Sequence, residues 1–261
     1  MRNIALTIEY RGTAFHGWQR QPRLRTVQGE LEEALATVLR EPVALHGAGR
    51  TDAGVHALGQ VANFRTARDL PLARLVRGVN ALTGNDVAVR EAREVADSFD
   101  ARRSARARHY VYLLLARPSP FWDERAWQPR RWPDPAPMNA AVAQLVGEHD
   151  FAAFSCASAD ETDSRTRVFY AFWEPWDRGL ALRVGAVRFL YRMVRCIAGA
   201  SLAAGTGVLS PETLGSWRDD PPHRGRLVAP ARGLALAAVD YGEAAAWPGG
   251  RFDCPPPGPV L

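Results

Sequence analysis

Chemically active side chains crowd one short stretch of the sequence, AGRTDAGVHALGQ at residues 48–60. It holds Asp52 with Arg50 before it and His56 after it, among several glycines. An aspartate can act as a nucleophile, a general base or a metal ligand. No second carboxylate stands nearby at a metal-like spacing, so a nucleophile or a base is favoured. Asp and Gly are also common turn residues, so from these two residue types alone a structural turn is the simpler interpretation.

Competing catalytic and metal-binding patterns are missing from the sequence. There is no G-x-S-x-G, H-E-x-x-H, Walker or dinucleotide-binding motif. The cysteines Cys156, Cys196 and Cys254 are far apart and odd in number, and no C-x-x-C occurs, which argues against a disulfide framework or a zinc cage. No apolar run approaches the length of a membrane span. We therefore expect a cytoplasmic protein with reduced thiols, in which Asp52 is the leading catalytic candidate.

The stretch RSARARHYVY, residues 103–112, interleaves arginines with aromatic residues on a predicted strand. Alternation places Tyr110 and Tyr112 on one face, and exposed aromatic residues on a sheet can stack on RNA bases. The alternative is that both tyrosines belong to the core. We expect that outcome for one of the two.

A third stretch, FLYRMVRCIAG at residues 189–199, adds basic residues to a predicted helix. Arg188, directly before this stretch, Arg192 and Arg195 are spaced by four and three residues on or near one helix, so they can share a face. A solvated basic face is the plain interpretation. An arginine held close to a core, however, needs a partner, usually a carboxylate.

The charge of the chain points to its partner. All 33 basic residues are arginines, against 28 acidic residues, which gives a formal net charge of +5. A positive excess favours binding to a polyanion such as a nucleic acid.

Apolar spacing predicts the elements that position these residues. Alternation from Asn3 to Tyr10 predicts a strand, and the i+4 repeat after Thr26 predicts a helix with Thr26 as its N-cap. The first half has the order β-α-β-β-α-β, and the second half repeats that order without repeating the sequence. Three further expectations are a strand VALHGA at 43–48, a helix over Met138 to Val146, and a helix over Leu190 to Gly205. We predict an α+β fold of two ferredoxin-like domains at residues 1–102 and 103–245, a loop at Pro221 to Arg226, and an irregular Gly/Pro-rich tail at 246–261.

Five motifs, in this order along the chain, resemble the tRNA pseudouridine synthase A family: YRGTAFHGWQRQP…TVQGELEEAL, GAGRTDAGVHALGQVANF, ARHYVYLL, FLYRMVRCIAG and ARGLALAAVDY. The resemblance runs from about Ile4 to Tyr241, and GRTDAGVHA is highly specific. It implies two ferredoxin-like domains whose antiparallel sheets join into one extended sheet, with the active-site cleft between them. It also implies a homodimer that isomerises uridines in the anticodon stem-loop of tRNA (positions 38–40 in the family) without a cofactor or a metal.

The resemblance also implies roles for individual residues. Asp52 is the expected nucleophile, and Tyr110 the tyrosine that packs on the target base. Arg195 is expected to pair with the aspartate, because an arginine partner keeps a carboxylate ionised where burial alone would neutralise it. Arg50 is expected to help hold the base out of the RNA helix. The family often has histidine and asparagine where this chain has Arg192 and Cys196.

Two other functions fit parts of the sequence. A tandem RNA-binding module without catalysis explains the basic charge, the sheets and the aromatic residues, and leaves GRTDAG as a turn. A hydrolase acting on phosphate esters through Asp52 usually requires magnesium and further carboxylates, and none is suitably placed.

Overall fold

The structure, a computed structural model, describes residues 1–156, 163–217 and 227–242. The chain forms two compact units, one of Met1–Arg106 together with residues 236–242 and the other within Ala107–Ala235. The predicted loop at 221–226 and the tail at 246–261 lie outside the described residues, and the predicted domain bounds 1–102 and 103–245 stay predictions. None of the helices in the described ranges combines the length and apolar character that crossing a bilayer requires.

The first unit follows the predicted order of elements. They are β1 (Arg2–Tyr10), α1 (Val27–Leu39), β2 (His46–Gly47), β3 (His56–Thr66), α2 (Leu72–Leu82) and β4 (Val87–Val95). Strand β1 lies between β4 and β3 and is antiparallel to both, while β2 pairs antiparallel with the other edge of β3. The 236–240 part of a last strand, β9 (Leu234–Asp240), also neighbours β3 in this unit.

Burial in the first unit follows the predicted periodicities. In β1 the alternating residues Ile4, Leu6 and Ile8 are almost wholly buried. Helix α1 starts where the sequence predicts, because the Thr26 side chain accepts a hydrogen bond from the Gly29 amide at 3.3 Å. Its buried stripe faces the core of the unit and consists of Val27, Leu31, Leu35 and Leu39.

Strand β2 is shorter than predicted, with only His46 and Gly47 paired to β3. Side chains of α1 take the backbone groups that a longer strand would use. The Leu45 amide donates to Glu32 Oε1 at 3.0 Å, and the Leu45 carbonyl accepts from Gln28 Nε2 at 2.9 Å. Because those groups are already satisfied, the ladder has no reason to extend toward Val43.

The second unit contains more elements than the sequence predicts. They are β5 (Ala107–Leu115), α3 (Pro135–Ala143), β6 (Gly147–Asp150), β7 (Arg165–Trp176), β8 (Gly179–Ala186), α4 (Met193–Gly205) and α5 (Glu212–Ser216). The strands pair antiparallel in the order β5-β8-β7-β6. Strand β6 and helix α5 were not predicted. Helix α3 begins earlier than expected because Asp134 caps it, accepting from the Ala136 amide at 2.9 Å, and it also ends earlier, at Ala143.

The predicted helix over Leu190 to Gly205 begins three residues late, at Met193. Arg192 stands directly before it with a left-handed backbone, φ 61°. Since a residue in that region cannot continue a right-handed helix backwards, Leu190 and Tyr191 fall outside α4. As a result, Arg192 also lies outside the helix, whereas Arg195 lies within it.

Candidate active site

Asp52 and Arg50 lie together in the first unit, in the loop at 49–55 that connects β2 to β3. The Asp52 side chain is half-buried and Arg50 is exposed. The loop starts from a fixed point, because the Gly49 carbonyl accepts from Gln60 Nε2 at 3.0 Å. The loop thus carries a partly shielded carboxylate and, two residues before it, an accessible cation.

The backbone of the segment at 10–18 holds this loop from one side. The Trp18 amide donates to the Thr51 carbonyl at 3.0 Å, and the Gly54 amide donates to the Phe15 carbonyl at 3.4 Å. Gly17 makes the approach possible. Its φ of +91° is a conformation that favours glycine, and a side chain there would begin 2.7 Å from the Thr51 carbonyl oxygen.

Side chains complete the attachment. The Tyr10 hydroxyl and Thr51 Oγ1 are 2.7 Å apart and buried. The Gly12 amide donates to Nδ1 of the buried His56 at 3.0 Å. His56, which the sequence placed among the chemically active residues of the loop, therefore supports the backbone on which Asp52 sits.

We expect Gly12→Ala to displace the loop that carries Asp52, because a methyl group at this position would overlap the Val55 carbonyl oxygen. Overpacking of this kind costs roughly 1–3 kcal/mol, and here the obstacle is backbone that cannot rotate away. Gly49→Ala, in the loop itself, is the matched control, since its added carbon would meet nothing within 4 Å. Urea unfolding of the two variants checks this, and an unchanged midpoint for Gly12→Ala would contradict it.

Tyr110 and Tyr112 share a face of β5, as predicted, but differ in burial. Tyr112 is fully buried and donates its hydroxyl to the Pro230 carbonyl at 2.8 Å; burial raises the pKa of its hydroxyl far above the usual range. Tyr110 is only half-buried, and its ring meets the edge of the Phe189 ring at 5.0 Å between centroids. Tyr112 is thus the core residue of the pair, while Tyr110 keeps part of its ring accessible.

Arg195 lies in the first turn of α4 and is half-buried. Its Nε donates to the Ala229 carbonyl at 2.8 Å, and the Ala229 amide donates to the Arg195 carbonyl at 3.0 Å. Two hydrogen bonds to one residue fix the guanidinium relative to the helix. Arg195 and Tyr112 are thereby fastened to adjacent residues, Ala229 and Pro230.

The three arginines do not share a helix face, although their spacing allows it. Arg188 precedes α4, and its guanidinium donates to the carbonyls of Asp163 and Arg165 at 2.9 and 3.0 Å. Arg192 is exposed and lies over the Tyr191 ring, 4.8 Å from its centroid. Arg195 alone of the three belongs to the helix.

The four predicted site residues thus fall into two pairs. Asp52 and Arg50 belong to the first unit, and Tyr110 and Arg195 to the second. Sequence reasoning about chemistry overlooked the supporting residues at 10–18, although YRGTAFHGWQ carries a signal: glycines alternating with aromatic residues after a strand indicate close backbone approach.

Comparison with known proteins places the chain in a family. A model of the family described as "tRNA pseudouridine synthase" matches residues 6–102 and 141–242. Three proteins named tRNA pseudouridine synthase A are similar over most of the chain. The one from Geotalea uraniireducens (strain Rf4) is 41% identical, covering 92% of this chain and 100% of its own. The one from Geobacter sp. (strain M21) is 43% identical, covering 93% and 100%, and the one from Rippkaea orientalis (strain PCC 8801 / RF-1) is 39% identical, covering 98% and 88%. The chain belongs to the tRNA pseudouridine synthase family.

Proposed function

We propose that this chain converts uridine to pseudouridine in the anticodon stem-loop of tRNA, with Asp52 as the nucleophile. Family membership carries the reaction type. The observation that supports Asp52 is its place in a loop that three hydrogen bonds fix to the segment at 10–18, with a fourth to His56 directly after the loop, because catalysis requires a positioned group. A mere turn would not need such support.

The reaction breaks the C–N glycosidic bond and forms a C–C bond between the same sugar and base. Atoms are neither gained nor lost, so the chain's own residues can carry every step. The Asp52 carboxylate can attack C1′ of the sugar, remove a sugar proton, or add to C6 of the base. In each route the detached or strained uracil must be kept from escaping.

Tyr110 and Arg195 are the proposed residues for that task. The accessible part of the Tyr110 ring offers a flat wall for the uracil, and its hydroxyl can assist proton transfer at C5. Arg195 is the proposed partner of the Asp52 carboxylate, since a cation nearby favours the charged form. Arg50 is exposed, so it can contact phosphate or fill the space that the uridine leaves when it is extruded, a step costing a few kcal/mol.

The resemblance further implies the architecture: two ferredoxin-like domains with joined sheets, a cleft between them, and a cytoplasmic homodimer. The antiparallel order β4-β1-β3-β2 of the first unit supports the first of these assignments. Sedimentation at micromolar concentration tests the dimer. A monomer with full activity would contradict it.

Incubation of an unmodified tRNA transcript with the protein, followed by mapping of pseudouridine, tests the activity directly. We expect modification confined to the anticodon stem-loop. Binding should weaken steeply with salt, because each phosphate contact releases counterions. Binding without any modified uridine would instead support the non-catalytic RNA-binding module.

We expect Tyr110→Phe to lose most of its turnover while keeping its stability, because the ring remains and only the hydroxyl is removed. Tyr112→Phe is the matched control with the opposite result. It leaves the partly buried Pro230 carbonyl without the Tyr112 hydroxyl, at a cost of about 1–3 kcal/mol, but keeps turnover per folded molecule intact. Single-turnover kinetics and thermal unfolding of both variants check this, and equal rates would remove the Tyr110 hydroxyl from the reaction.

A further inference from the structure

Two cysteines 40 residues apart meet in the second unit. The Sγ atoms of Cys156 and Cys196 are 3.9 Å apart, and both residues are free thiols. Cys156 follows a short 3₁₀ turn at Ala152–Phe154, and Cys196 lies in the first turn of α4. The two segments are already joined by their backbones, since the Cys156 amide donates to the Tyr191 carbonyl at 3.0 Å.

The two thiols differ in access. Cys196 is buried, and burial raises the pKa of its thiol to about 12, with the neighbouring Cys156 acting in the same direction and the charges of Arg195 and Arg192 opposing. Cys156 is half-buried, so an external reagent meets it first. An accessible thiol beside a second, protected one is the arrangement in which the first is oxidised and the second resolves it.

We propose that Cys156 and Cys196 form a reversible disulfide and are a site of thiol oxidation by a low-molecular-weight disulfide such as oxidised glutathione. The Cys156 thiolate attacks one sulfur of the reagent and releases a first glutathione thiolate. The Cys196 thiol then loses its proton and attacks Cys156 Sγ, which releases the second. Two protein thiols lose two electrons, which reduce one molecule of oxidised glutathione to two of the thiol.

The bond has a mechanical consequence. A disulfide requires about 2.0 Å between sulfur atoms, so the pair must close from 3.9 Å by rotation of the two side chains together with a shift of the segment that carries Cys156 or of the first turn of α4. That turn carries Arg195, whose Nε bond to Ala229 fixes its guanidinium. We expect closure to move that turn of α4, so that oxidation reduces turnover by displacing Arg195. This part rests on the proposed function, whereas formation of the bond does not.

The experiment uses the full chain with Cys254→Ala, so that only the two thiols of interest remain. The protein is incubated with oxidised glutathione, digested without reduction and analysed by mass spectrometry. We expect a cross-linked peptide pair containing residues 156 and 196. It should form faster as pH rises toward the pKa of Cys196, and it should disappear with dithiothreitol. Glutathione remaining on Cys156 without the cross-link, or no reaction at all, would overturn the proposal.

Turnover is measured on the same samples. On oxidation we expect a loss on the order of a hundredfold, the scale of a misplacement of about an ångström at a reacting site, reversed by dithiothreitol. Cys156→Ala is the matched control and should keep its turnover under oxidant. A cross-linked protein with full activity would overturn the coupling to Arg195. A reduced protein with no activity would instead count against the proposed function, while the cross-link could still be observed.

Discussion

Asp52→Asn should abolish pseudouridine formation while leaving tRNA binding and folding intact. The amide preserves the shape of the side chain but is a far weaker nucleophile and base than a carboxylate. Loss of such a group typically costs at least about 10⁴-fold in rate. The measurement is single-turnover conversion of a tRNA transcript with enzyme in excess, alongside a binding isotherm. A variant with more than trace activity would remove Asp52 from its role.

Asp86→Asn is the matched control for that experiment. Asp86 accepts two hydrogen bonds from the Arg25 guanidinium, both at 2.7 Å. These bonds hold the pKa of the Asp86 carboxyl below its ordinary value of 3.8. Because the folded pKa is the lower one, the pair stabilises the protein above about pH 3.8 and this contribution is lost as pH falls through the folded value. The amide should therefore reduce stability at neutral pH and leave turnover unchanged.

Arg195→Met should have the second largest effect. It removes the proposed cationic partner of Asp52 and strands the Ala229 carbonyl, which Arg195 Nε now satisfies. Loss of one preorganised electrostatic group costs roughly 10²–10³-fold in rate. Arg195→Lys should recover part of that loss, because it restores the charge without the planar fork that reaches Ala229. Rates under saturating enzyme, with thermal unfolding measured in parallel, test both variants.

Arg192→Met serves as the neighbouring control. Arg192 is exposed and stacks on Tyr191 rather than on the segment that carries Ala229. Its loss should weaken tRNA binding at most, with the rate at saturation preserved. If Arg192→Met and Arg195→Met lowered the rate at saturation by the same factor, the effect would come from positive charge in general and not from a specific role of Arg195.

Local signals in the sequence were sufficient where structure is decided locally. Thr26 caps α1 because a threonine hydroxyl reaches its own helix, and the apolar stripe of α1 requires only regular spacing. Strand β2 shows the limit of such signals. Its length depends on Glu32 and Gln28, side chains of a different element, which compete for its backbone groups. Strand β6, with the polar sequence GEHD, forms only because β7 supplies the pairing.

The candidate site divides in the same way. Alternation places Tyr110 and Tyr112 on one face, but only tertiary packing decides that Tyr112 reaches Pro230 and becomes core. The helical spacing of Arg192 and Arg195 suggested a shared face. The left-handed backbone of Arg192 places this residue outside α4. The sequence does not indicate that conformation, because arginine is not a residue type that favours it. The meeting of Cys156 and Cys196 likewise depends on folding across 40 residues.

The attachment of the Asp52 loop to the segment at 10–18 has a consequence for hydrogen exchange. The Trp18 and Gly54 amides donate in opposite directions across the same contact, so neither can open to solvent without separating the loop from the segment. The hydrogen-exchange rates of the Trp18 and Gly54 amides should therefore be similar, and a change in conditions should alter both in the same direction. The indole of Trp18, buried against Gly47, gives the same event an optical signal. Fluorescence of Trp18 would then report the opening of the loop that carries Asp52, in a chain whose overall fold is still intact.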